Sequence, residues 1–140
     1  MRKLTSLLLA AGASALLLAG TSTAAQAEPH AAHEAASPLT ADGKFHIYRD
    51  AGYQRECGGG YAGNVSNYTS LLCNDQVSSV INSGYPGNLD DVWMYKDAGY
   101  TGSRRGIYNG VGIIDLQWFA YDDGAPMNDT MSSHHWTNLP

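Results

Sequence analysis

The sequence predicts an all-β domain in which two Greek-key motifs pack face to face as a sandwich. Three observations carry that expectation. An aromatic–glycine segment occurs twice, shifted by 47 residues, and an Asn/Asp–Ser segment occurs twice, shifted by 54. The chain of 140 residues holds 16 Gly and nine Tyr beside only two Phe, a mixture of turn formers and strand-favouring aromatics. No stretch combines sustained 3.6-residue apolar spacing with caps at both ends, so helices are confined to single turns near Val65–Leu72 and Ile113–Phe119.

The first repeat is Tyr48-Arg49-Asp50-Ala51-Gly52-Tyr53, which returns as Tyr95-Lys96-Asp97-Ala98-Gly99-Tyr100. Phe45-His46-Ile47-Tyr48 alternates as a strand does, and Asp50-Ala51-Gly52 supplies a turn. The second repeat is Asn74-Asp75-Gln76-Val77-Ser78-Ser79, which returns as Asn128-Asp129-Thr130-Met131-Ser132-Ser133. The two shifts differ because the second copy carries an insertion, for which Tyr121–Pro126 is the candidate. The repeats define motif one as 45–85 and motif two as 92–138. A unit of that length with about four short strands cannot bury a core alone, whereas two such units can.

The residues before the repeats read as an address and a spacer. Arg2 and Lys3 precede an apolar run from Leu7 to Gly20, and Ala25-Gln26-Ala27 supplies a small-x-small cleavage pattern. Residues 1–27 are therefore expected to be a secretory signal peptide, and the apolar run is too short to span a bilayer. Residues 28–43 are Ala-rich and aperiodic and are expected to form a flexible N-terminal spacer, leaving 44–140 as the folded domain. The chain carries 8 Lys+Arg against 13 Asp+Glu. Removing residues 1–27 takes away two positive charges and no acid. That balance argues against nucleic acid as a partner and favours a cation as a ligand.

The two cysteines, Cys57 and Cys73, both lie in the mature chain. In an oxidising compartment such a pair most simply forms one disulfide. A zinc site is the weaker alternative, because no further Cys or His stands at the required spacing. The chain-entropy relation gives a loop of about 17 residues a contribution on the order of 3 kcal/mol.

Each Asn/Asp-Asn/Asp-x-x-Ser/Thr-Ser arc sets carboxylate, amide and hydroxyl oxygens within six residues. Taken once, the pattern is satisfied by a turn whose side chains bond their own backbone. Taken twice at equivalent places, it favours calcium, which accepts six to eight oxygens in irregular geometry. Zinc and copper prefer nitrogen and sulfur. Ser132, Ser133, His134 and His135 do not stand in a nucleophile-elbow pattern, so no catalytic residue is assigned and a non-enzyme is expected.

With both repeats in place, the chain from Phe45 onward resembles the microbial βγ-crystallin family. The resemblance implies a two-Greek-key sandwich with two calcium sites, each a clamp shared between motifs. It implies ligands at Asp75, Gln76 and Ser78 in one arc and at Asp129, Thr130 and Ser132 in the other. A hairpin carbonyl from the opposing motif, at Arg49 and Lys96 by position, completes each site. Copy two keeps the hairpin glycine at Gly102, whereas copy one has Arg55 there. A side chain disfavours the left-handed backbone, so a distorted first hairpin and a weaker site at Arg49 are expected.

Secretion and the cysteine pair also resemble the secreted peptidase inhibitors of the Streptomyces metalloproteinase inhibitor type. That likeness implies a monomer whose partner is a secreted proteinase, met through the loops Gly58–Leu72 and Tyr108–Pro126. The alternatives on the same fold are a calcium-stabilised structural or stress protein of the envelope or spore, and a killer-toxin-like protein.

Overall fold

The computed structural model describes residues 33–140. The expected signal peptide, residues 1–27, and the start of the spacer lie outside the described residues. Eight strands follow in order: β1 Glu34–Ala36, β2 Lys44–Asp50, β3 Gln54–Glu56, β4 Ser79–Ser83, β5 Asp91–Asp97, β6 Thr101–Ile107, β7 Val111–Ile113 and β8 Ser133–Thr137. They form two antiparallel sheets, one in the order β1-β7-β4-β2-β3 and the other in the order β6-β5-β8. Single 3-10 turns at Thr69–Leu71 and Leu116–Trp118 occupy the long loops, where the sequence places its only helical turns.

The motifs exchange their third segments, which is the Greek-key crossover. β7 belongs to motif two, yet it pairs with β4 of motif one through Val80↔Ile113 and Ile81↔Gly112. Reciprocally, Val65 of motif one bridges His134 of β8 by two backbone hydrogen bonds of 3.0 and 2.9 Å. Val65 and Gly112 are separated by the same 47-residue shift as the hairpins, so the exchange is reciprocal, with the pairing of Gly112 displaced by one residue to Ile81. Neither motif can leave without breaking the other's sheet.

Strand alternation sends Phe45 and Ile47 of β2 and Val92 and Met94 of β5 into the space between the sheets, all fully buried. Met127 and Met131 fill the end of that space, a role suited to an unbranched side chain in an irregular gap. Each fully buried aliphatic side chain of this kind contributes about 1.5–3 kcal/mol. Cys57 and Cys73 form the expected disulfide, with Cα atoms 6.3 Å apart and both residues buried. It ties the end of the first hairpin to the entrance of the first Asn-Asp arc.

The described part of segment 28–43 departs from the flexible spacer expected there. β1 pairs with β7 in the register Glu34↔Ile113, Ala35↔Gly112 and Ala36↔Val111. Beside it, the His33 ring stacks on Trp118 at 5.0 Å and Glu34 lies 3.8 Å from Arg105. The cause is the open edge of β7, whose backbone groups need partners. Small Ala residues can pair there by main chain alone, and a strand held that way leaves no side-chain pattern in the sequence.

Candidate metal centre

Each repeated hairpin folds back over its own sheet, and the last serine of each arc holds it there. Ser79 Oγ donates to the Asp50 carbonyl at 2.6 Å and accepts from the Tyr53 N–H at 3.1 Å. Ser133 Oγ does the same for the Asp97 carbonyl and the Tyr100 N–H, at the same distances. Tyr53 and Tyr100 adopt left-handed backbones with φ of 60° and 61°. The sequence reading overlooked this role, although the repetition of Ser at the sixth position was its signal.

The expected distortion of the first hairpin does not occur. Arg55 takes a left-handed φ of 53° where its counterpart Gly102 takes 73°. The Arg55 guanidinium holds the Asp50 carboxylate through two hydrogen bonds, and that contact offsets the backbone disfavour. It also keeps the Asp50 carboxyl below its ordinary range, with the hydrogen bond as the main cause. In copy two the carboxylate of Asp97 lies against Gly102 instead, where an added Cβ would meet its Oδ2 at 2.3 Å.

The two Asn-Asp arcs cross at the junction of the motifs. Asp75 and Asp129 both take left-handed backbones, with φ of 53° and 56°. The Asp75 N–H donates to the Met131 carbonyl at 3.4 Å, and the Asp129 N–H donates to the Val77 carbonyl at 3.0 Å. These crossings carry each carboxylate to the opposite arc. Ser78 Oγ donates to Asp129 Oδ1 at 3.1 Å, and Ser132 Oγ donates to Asp75 Oδ1 at 3.2 Å. Asn74 and Asn128 each hold the second oxygen of the neighbouring Asp, at 2.7 and 2.8 Å.

The exchange adds a carboxylate from the opposite motif to the serine of each arc. One cleft of about 350 Å³ brings together Arg49, Asp75, Gln76, Ser78 and Asp129. Another of about 370 Å³ brings together Lys96, Asp129, Thr130, Ser132 and Asp75. The hairpin residue lies with its own arc, both Asp75 and Asp129 border each cleft, and the serine of each arc bonds the acid of the other motif. The left-handed turn at each Asp accompanies the reach of its Oδ1 to the serine of the opposite arc.

Both clefts offer a hard-oxygen donor set. The carbonyls of Gln76 and Thr130 accept no hydrogen bond from the described residues. Thr130 spends its hydroxyl on the Pro126 and Met127 carbonyls at 2.8 and 3.0 Å, which fixes the residue and leaves its own carbonyl open. Among the described residues there is no group of three or more His, Cys, Asp or Glu side chains suited to a metal. The donors here are instead single carboxylates, hydroxyls and main-chain oxygens, a set that fits calcium and not a softer metal.

The clefts differ in charge. Asp50 borders the first, but its carboxylate is taken by Arg55, while the Arg49 guanidinium donates to the Leu72 carbonyl. Asp97 borders the second, and among the described residues its carboxylate forms no ion pair. The serine–histidine constellation does not assemble. Ser132 bonds Asp75, Ser133 bonds the Asp97 carbonyl, and His134 Nδ1 lies 2.5 Å from the Tyr68 hydroxyl.

No family model matches the chain, and no curated protein matches it. Solved structures do. A βγ-crystallin domain determined in connection with the evolution of the eye-lens fold is 23% identical, with a TM-score of 0.55, over 76% of this chain and 97% of that one. A βγ-crystallin from Ciona intestinalis is 19% identical, with a TM-score of 0.53, over 68% of this chain and 100% of that one. Spherulin 3A from Physarum polycephalum is 23% identical, with a TM-score of 0.50, over 76% of this chain and 94% of that one. Two sheets that exchange one strand, two folded-back hairpins and these neighbours together show that the chain adopts the βγ-crystallin fold.

Proposed function

We propose that this chain is a secreted, monomeric calcium-binding protein whose sandwich is clamped by two calcium ions, and that it works by binding without a catalytic step. One observation carries the reading: Ser78 with Asp129, and Ser132 with Asp75, place a hydroxyl and a carboxylate from different motifs on one cleft. Arg49 and Gln76 would add main-chain oxygens to the first cleft, and Lys96 and Thr130 to the second. An ion held there supplies charge that offsets the facing carboxylates and joins the motifs. The buried disulfide suits the oxidising setting of a secreted protein. Among the described residues no helix is long and apolar enough to cross a membrane.

The test is thermal unfolding in chelator and in calcium, with isothermal titration alongside. A ligand that binds only the folded state raises Tm by mass action, about 2.7 kcal/mol at a hundredfold excess over Kd. Two binding events and a rising Tm support the reading; no heat and an unchanged Tm in millimolar calcium reject it.

Proteinase inhibition is the second reading, and one observation favours it. Leu72 is 75% exposed and directly precedes the disulfide-held Cys73, so an apolar side chain stands out from a fixed loop. Against it, Leu72 has a left-handed φ of 57°, unlike the extended strand that edge-pairing recognition uses. The rest of that loop, Tyr61–Tyr68, is pinned by the Phe45↔Tyr61 and Val65↔His134 bridges and by buried Tyr68. Stoichiometric inhibition of a thermolysin-like metalloproteinase, lost in Leu72→Asp, would establish this reading. No inhibition at micromolar protein would leave the structural role.

A further inference from the structure

At the pole opposite the calcium clefts lies a groove of about 410 Å³ between the motifs. The strand directions place it there. β2 and β5 run toward the clefts at Arg49 and Lys96, whereas the groove is built beside their starts, at Gly43 and Asp90. β4 and β8 run away from the clefts, and Tyr85 and Trp136 lie at their far ends.

Two aromatic rings, each seated on a glycine, form its apolar part together with Leu89 and Ala62. A Cβ at Gly43 would meet the Tyr85 ring at 2.6 Å, and one at Gly84 would meet the Trp136 ring at 2.8 Å. Tyr85 is nonetheless 67% exposed, so one face of its ring is backed by main chain and the rest is open. The polar part consists of Asn64, Asn88 and Asp90, each tied by one oxygen. Asn64 Oδ1 accepts from the Trp136 N–H at 2.8 Å, Asn88 Oδ1 from Asn138 Nδ2 at 3.0 Å, and Asp90 Oδ2 from the Gly87 N–H at 2.7 Å. The Nδ2 groups of Asn64 and Asn88 and Oδ1 of Asp90 make no hydrogen bond with the described residues. No Lys, Arg or His lines the groove.

We propose that this groove binds a neutral pyranose saccharide. Two amide donors and one carboxylate acceptor match vicinal hydroxyls, each of which both donates and accepts. An exposed aromatic face matches the apolar C–H face of a sugar ring. The missing cation excludes an anionic ligand, and the two amide donors disfavour a cationic one. Because each polar side chain is already anchored, little conformational freedom is lost when the ligand enters. The proposal is independent of the calcium clefts.

The test uses tetrasaccharides of glucose, N-acetylglucosamine and xylose as probes, read by backbone amide shifts and tryptophan fluorescence. Saturable shifts at Tyr85, Asn88 and Trp136 with at least one probe are expected, with Kd of about 1 mM or tighter. Tyr85→Ala and Asn88→Ala should each weaken binding by about tenfold with Tm unchanged. Trp118→Ala, outside the groove, should leave it intact, and chelating calcium should not abolish it in folded protein. Absence of saturation by every probe at about 10 mM overturns the proposal. So does binding that survives both groove substitutions, or a preference for tetramethylammonium or a uronate oligomer.

Discussion

The Ser78 hydroxyl donates to the Asp129 carboxylate at 3.1 Å, although the two residues are 51 positions apart and belong to different motifs. Its mirror, Ser132 to Asp75, spans 57 positions at 3.2 Å. Each cleft is therefore built by both copies of the repeat.

A first prediction follows from the exchange. Asp129→Asn should weaken calcium binding at the cleft of Ser78 and Gln76 by at least about tenfold, about 1.4 kcal/mol, because the charged ligand is lost there. The cleft of Ser132 should keep its affinity. Titration of Asp129→Asn in a Ser78→Arg background should show no further loss, whereas in a Ser132→Arg background it should remove the remaining site. Additive losses in the Ser78→Arg background would restore the grouping by arc.

The two clefts should also differ in strength. With Asp97 in no ion pair among the described residues and Asp50 held by Arg55, the cleft of Lys96, Thr130, Ser132 and Asp75 should bind calcium more tightly. Arg55→Gly suits the left-handed backbone and releases Asp50, so it should tighten the weaker site by about tenfold. Two-site calorimetry on the wild type and this variant checks both statements.

Reduction of the disulfide, or Cys57→Ser with Cys73→Ser, should lower stability by on the order of 3 kcal/mol. For a domain of this size that corresponds to a fall in Tm of roughly 10–20 °C by differential scanning calorimetry. The disulfide and the calcium arc meet at Cys73-Asn74, so weaker binding at both clefts should accompany reduction.

Acid should destabilise the fold through His134. Burial pushes its pKa down from 6.5 to about 4, the Gly63 carbonyl opposing the shift only in part. The unfolded chain then binds the proton first, so stability is fully present above pH 6.5 and is lost as pH falls toward 4. Over that window the loss should approach roughly 3 kcal/mol. His134→Gln should flatten the pH dependence of Tm between those limits, while lowering Tm at neutral pH by disturbing the contacts to Tyr68 and Gly63.

The sequence by itself determined the two-motif architecture, the cysteine pair and the residues of the arcs. A repeated motif states twice where turns and oxygen donors fall, and alternation such as Phe45-His46-Ile47-Tyr48 states which side chains face inward. What tertiary structure alone decided is which donors share a cleft. Asp75 and Asp129 cross to the opposite arc because of a left-handed turn and a symmetric pair of main-chain hydrogen bonds, neither of which alters residue spacing. The edge strand Glu34–Ala36 was likewise hidden, since its partner is the open edge of β7 and its alanines carry no periodicity. Arg55 holds a glycine's backbone because Asp50 lies within reach of its guanidinium. In each case the deciding contact is either main-chain or remote in sequence, and local residue patterns record neither.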